Sequence, residues 1–172
     1  MAGKDEDFDD FVRVCSTRLL RSAWLLTADR HAAEDLLQEV LVRVYFKWDT
    51  IHGQHEAYAR RALVRHAINR HRYRMRRPET ANPRGREPSV PDIADGVALQ
   101  RSVVAGLRRL PARQRAAVVL RYFEDLSEVD AAEVLGCTRG TVRAYASRGL
   151  ARLREVLAAE ESTDRARARE LA

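Results

Sequence analysis

Four of the chain's five prolines, Pro78, Pro83, Pro88 and Pro91, fall within one short stretch. Proline fixes φ and has no N–H to donate, so such a stretch cannot lie inside a helix or an inner strand. With Gly85 and Gly96 it reads as a linker over residues 77–96. On both sides the apolar residues recur three and four apart, and no strand-like alternation stands out. The expected fold class is therefore all-α. Two small helical domains, residues 8–76 and 97–160, are joined by a flexible linker and followed by a charged tail, 161–172. At 45% hydrophobic residues, the 172-residue chain has enough apolar material for packed cores.

The first half fits three helices. The first covers Phe8 to Leu26, led by Asp5, Glu6 and Asp7, whose charges suit the positive end of a helix dipole. The second covers Arg30 to Trp48 with Asp29 as N-cap. Its Ala33, Leu36, Leu37, Val40, Leu41, Val44 and Trp48 form an amphipathic stripe. The third covers Glu56 to Arg76, after a loop over Asp49–His55. The second half fits four helices, near 97–109, 111–124, 127–135 and 138–160. Pro111 suits a first helical turn. Ser127 and Asp130 have the spacing of a capping box, and Gly136 reads as a left-handed stop.

Charge and chemistry narrow the function. Thirty-one Lys and Arg oppose 25 Asp and Glu, a formal charge of +6, which favours an anionic partner. The N-terminal residues lack the apolar core of a signal peptide, and no stretch has the length of a membrane span. Cys15 and Cys137 are far apart and read as structural thiols of a cytoplasmic protein. Aromatic residues at 6% are too few for a stacking platform. No phosphate-binding Gly loop or nucleophile elbow occurs. His52 and His55 sit on a loop, and His66 and His71 are five apart, so neither pair suits a metal. No enzyme activity, cofactor or metal is expected.

Three constellations remain. Ser127 to Arg154 reads as a helix-turn-helix, with small Ala131 and Ala132 allowing a close crossing. Its second helix turns Arg139, Arg143, Ala144, Ser147 and Arg148 outward, where arginine can reach guanine in a major groove. Thr141, near its start, is placed for a phosphate. The stretch from Arg60 to Arg77 holds eight arginines and no acid, and Arg60, Arg61, Arg65, Arg72 and Arg76 are placed to meet phosphates. The polar face of the second helix gathers Asp35, Gln38 and Glu39 by the three-four rule. DNA would repel those acids, so by chemistry alone they face water or protein.

Three stretches together resemble a known family. Ala32 to Trp48 (AAEDLLQEVLVRVYFKW), Leu107 to Gly136 (LRRLPARQRAAVVLRYFEDLSEVDAAEVLG) and Cys137 to Glu155 (CTRGTVRAYASRGLARLRE) are similar to bacterial RNA polymerase sigma factors. The match is to the small extracytoplasmic-function class of the sigma-70 family, most of all an actinobacterial branch. The resemblance implies that Asp35, Gln38 and Glu39 dock on the β′ clamp helices of core RNA polymerase, and that the second domain meets the β flap. It implies that Arg143, Ala144, Ser147 and Arg148, flanked by Arg139 and Thr141, read the −35 promoter element. The Asp49–His55 loop and the helix carrying Arg60, Arg61, Arg65, Asn69, Arg72 and Tyr73 would melt and capture the −10 strand, with a base flipped from the stack. The linker would thread through the polymerase. An anti-sigma factor is a further partner the resemblance allows. The competing reading is a helix-turn-helix repressor or activator that works without polymerase.

Overall fold

The computed structural model describes residues 3–76 and 97–170. The expected linker, 77–96, lies outside the described residues, as do the side chains of Arg72, Tyr73 and Arg76. Among the described residues every regular element is helical: α1 (Lys4–Thr27), α2 (Arg30–Phe46), a 3-10 turn (Trp48–Thr50), α3 (His55–Arg76), α4 (Val97–Arg108), α5 (Ala112–Val118), a π turn (Val119–Phe123), α6 (Glu128–Leu135) and α7 (Arg139–Glu170).

Local chemistry sets most boundaries. Asp29 Oδ1 accepts from the Ala32 N–H at 2.8 Å and starts α2. Ser127 Oγ accepts from the Asp130 N–H at 3.1 Å and starts α6. Gly136 ends α6 at φ +62°, a conformation that costs other residues their Cβ clearance. Other boundaries differ from expectation. α1 starts at Lys4, not Phe8, because Asp5, Glu6 and Asp7 favour its first turn. α2 ends at Phe46, and Trp48 passes into the 3-10 turn. α3 takes in His55, which leaves the loop and stacks on Trp48 with ring centroids 3.7 Å apart. The helix expected over 111–124 gives way to a π turn after Val118. α7 runs through the expected tail to Glu170, a stretch rich in the strong helix formers Ala, Arg and Glu.

The first three helices bury the stripe Leu36, Val40 and Val44 against Leu19, Leu63 and Val64. In the second unit α7 crosses α5 at Gly149, where a Cβ would stand 2.7 Å from Val118 Cγ2 and 3.1 Å from the Gln114 carbonyl oxygen. The missing side chain is what allows this close crossing. The two units also touch one another. α3 packs on α5 and α6, and α1 packs on α4, α5 and the π turn. Their buried apolar residues form one continuous cluster.

Candidate nucleic-acid interface

The outward face of α7 is open. Arg139, Arg143, Ser147 and Arg148 are exposed, and Ala144 is half-buried among them. The opposite face buries Val142, Ala146, Gly149 and Leu153, so packing fixes which side points out. At its start Thr138 Oγ1 accepts from the Thr141 N–H at 3.2 Å, and the two hydroxyls lie 2.9 Å apart. Thr141 is therefore engaged in capping geometry as well as standing at the helix entry. Arg143 does not swing freely. Its Nε and Nη2 donate to Glu128 Oε1 and Oε2 at 3.1 and 2.8 Å, a two-bond fork from α6. The same contact holds the Glu128 carboxyl below its ordinary range and pushes Arg143 above its own.

The basic face of α3 is differently placed. Arg65 and Asn69 are exposed. Arg60 is paired twice, with Glu56 through Nη2 at 2.9 Å and with Glu124 through Nε at 3.2 Å. Arg61 Nη2 reaches Glu133 Oε1 at 2.8 Å. Glu124 and Glu133 belong to the second unit. Beside the loop, Lys47, Thr50, Ile51, Gln54, Tyr58 and Arg61 line an open cavity of about 280 Å³. His55 Nε2 lies 3.1 Å from the Trp48 carbonyl oxygen, and His52 and Gly53 take positive φ, which together shape this loop.

On α2, Asp35, Gln38 and Glu39 are exposed on one face, as the spacing requires. Asp35 Oδ2 is 3.4 Å from Arg70 Nη2, and Glu39 Oε2 is 3.6 Å from His66 Nδ1. Both carboxylates keep more than half of their side-chain surface exposed, at 64% and 54%. No group of three or more His, Cys, Asp or Glu suited to a metal occurs among the described residues. No helix there is long and apolar enough to cross a membrane.

One side chain that sequence reasoning passed over is Arg115, in the Leu-Pro-x-x-x-Arg stretch. It is buried, and its guanidinium donates to three carbonyl oxygens: Arg108 at 3.2 Å, Leu110 at 3.1 Å and Leu26 of α1 at 2.9 Å. Burial, with Arg108 nearby, draws its pKa below the ordinary guanidinium value. The repeated arginines around it hide this residue in the sequence. Its place four residues after Pro111 was the mark it carried.

Known proteins bear out the pattern. The sigma-70 region 2 family matches residues 11–77, and the sigma-70 region 4 family matches residues 100–153. The RNA polymerase sigma-E factor of Streptomyces coelicolor is 37% identical over 98% of this chain and 96% of its own length. The chain belongs to the sigma-70 family. Extracytoplasmic-function members are among its relatives, such as SigW of Bacillus subtilis, 27% identical over 90% of this chain and 91% of that protein. A solved structure of the sigma factor RpoE from Bartonella quintana, in complex with the anti-sigma factor NepR, is similar at a TM-score of 0.72. It is 27% identical and covers 88% of this chain and 96% of that one. This sigma factor thus binds core RNA polymerase and directs promoter-specific initiation of transcription. Its region 2 holds the acidic face of α2 and the basic face of α3, and its region 4 holds the open face of α7.

Proposed function

We propose that each of these faces has one task in initiation. Arg139, Thr141, Arg143, Ala144, Ser147 and Arg148 read the −35 element. Arg60, Arg61, Arg65, Asn69, Arg72 and Tyr73, with the 49–55 loop, open and hold the −10 strand. The cavity lined by Lys47, Gln54, Tyr58 and Arg61 takes an unstacked base. Asp35, Gln38 and Glu39 dock on the β′ clamp helices, and region 4 meets the β flap. The protein performs no covalent chemistry and works in the cytoplasm. An anti-sigma factor is its regulator, a reading supported by the likeness to a sigma factor solved with one. The domains comprise residues 8–76 and 97–160.

The observation that carries the reading is the exposed acidic face of α2, beside the basic α3, in a chain of net charge +6. Such a face repels DNA and suits a protein partner. The test is transcription in vitro with added core polymerase, comparing the natural chain with Asp35→Ala/Glu39→Ala. Initiation should fall at least tenfold in the double variant, while its affinity for a −35 duplex stays unchanged. Full transcription by the variant would remove the docking assignment. No initiation by the natural chain with core polymerase, with duplex binding unchanged in the double variant, would favour a repressor.

A further inference from the structure

Two guanidinium groups line one small cavity, away from the −10 and −35 surfaces. Its volume is about 50 Å³, and Thr27, Ala67, Ile68, Arg70, Arg115 and Ala116 are among the residues around it. That exceeds the roughly 10–15 Å³ one water needs and is far below the about 300 Å³ at which cofactor pockets begin. Only 6% of Arg115 is exposed. Its Nη1 and Nη2 donate to the carbonyl oxygens of Leu26, Arg108 and Leu110, and its Nε–H is buried without a partner in the protein. Arg70 Nη2 lies 3.4 Å from Asp35 Oδ2, while its Nη1 is likewise buried without a partner.

We propose that this cavity binds a small monovalent anion, of halide size, between Arg70 and Arg115. The balance of charge calls for one. None of the lining residues is acidic. Among the described residues Arg115 bonds to carbonyl oxygens and to no carboxylate. Burial opposes its charge, and Arg108 adds repulsion. Asp35 offsets Arg70 only in part, because 64% of its side-chain surface is exposed and 3.4 Å is long for a charged pair. Two cations beside one small cavity repel each other, and an anion between them turns that repulsion into attraction. Guanidinium has donors and no acceptor, so it asks for a ligand that only accepts. A water would accept the two N–H groups and leave the buried charge unpaired. The volume excludes a nucleotide.

The test uses the full-length chain in potassium glutamate, whose anion is too large for the cavity. Chloride replaces glutamate at constant ionic strength, and binding is read from the excess chloride-35 NMR linewidth. The natural chain should broaden the line saturably. Arg70→Gln removes one charge and Ala67→Leu fills the space, so each should lower the excess at least fivefold. Arg21→Gln, at an exposed arginine outside the lining, should leave it unchanged. No excess in the natural chain overturns the site. So does an excess that survives in either cavity variant, which would place chloride on the outer surface. Arg70 and Ala67 are both half-buried, and each variant remains informative if the other fails to fold. Urea unfolding adds an independent readout. At a chloride concentration ten times its Kd, the unfolding equilibrium constant of the natural chain should fall about tenfold more than that of Ala67→Leu. An equal chloride response in the two proteins overturns the site.

Discussion

The two basic helices of this sigma factor have similar chemistry and different availability. On α7, Arg139 and Arg148 are exposed and make no ion pair with a described carboxylate, while Arg143 is steadied by Glu128 of its own helix-turn-helix. On α3, Arg60 and Arg61 are held by acids from the other domain. The first arrangement leaves Arg139 and Arg148 open to solvent, while Arg143 must exchange Glu128 to meet a base. The second ties up two arginines of the surface proposed to hold the −10 strand. Double-stranded −35 DNA can be read as it stands, whereas the −10 strand exists only after opening. The placement of charge follows that order of events.

The strongest way to break the comparison is to cut the tie between the domains. Arg115→Ala leaves three carbonyl oxygens without their charged donor. It should lower the stability of the chain by about 3 kcal/mol in urea unfolding. Arg115→Lys should recover little of this, because one ammonium lacks the planar fork. If Arg115→Ala unfolds at the natural midpoint, the buried guanidinium contributes nothing net and the junction is held by apolar contact alone.

A sharper contrast sets one arginine from each helix side by side. Arg148→Ala, at an exposed arginine, should weaken binding of the free chain to a −35 duplex by about 10- to 100-fold, the value of one good base contact. Arg61→Ala should change binding of the free chain to the −10 strand by less than about twofold, because Glu133 already engages that guanidinium. A large loss for Arg61→Ala in the free chain would mean that α3 is as accessible as α7. Glu128→Gln should have a smaller effect. It keeps the fold, loosens Arg143 and broadens base choice at one position of a randomised −35 library. Unaltered base choice would show that Arg143 is oriented by DNA and not by Glu128.

The sequence made the helices legible because each must bury a stripe, and a stripe leaves a period. Asp29, Ser127 and Gly136 were readable for a similar reason, since each acts on backbone within a few residues of itself. Ends set by propensity were less so: charged residues extend α1 back to Lys4 and α7 on to Glu170 without adding to any apolar period. The π turn at Val119–Phe123 is invisible to a period of 3.6. In the proposed site the arginines and the acids of α2 announced themselves by charge. Their partners did not. Glu133 meets Arg61, and Glu124 meets Arg60, only because α3 packs on region 4, and no local rule links residues so far apart.

The smallest expected effect asks whether covering α3 reaches its other titratable group. His66 is half-buried, with Glu39 at 3.6 Å and Arg43 nearby on α2. Burial first, and Arg43 second, depress its pKa below the ordinary histidine value, with Glu39 opposing. The unfolded chain therefore binds this proton more tightly than the folded one. Its contribution to stability is complete above about pH 6.5 and is lost as pH falls through the folded value. At neutral pH His66 is then uncharged and leaves the charge of Glu39 unneutralised for a partner. Urea midpoints at pH 7.5 and 5.5 should fall further apart in the natural chain than in His66→Gln. An identical spread in both proteins would assign the acid sensitivity to other groups and leave the covering of α3 without consequence for His66.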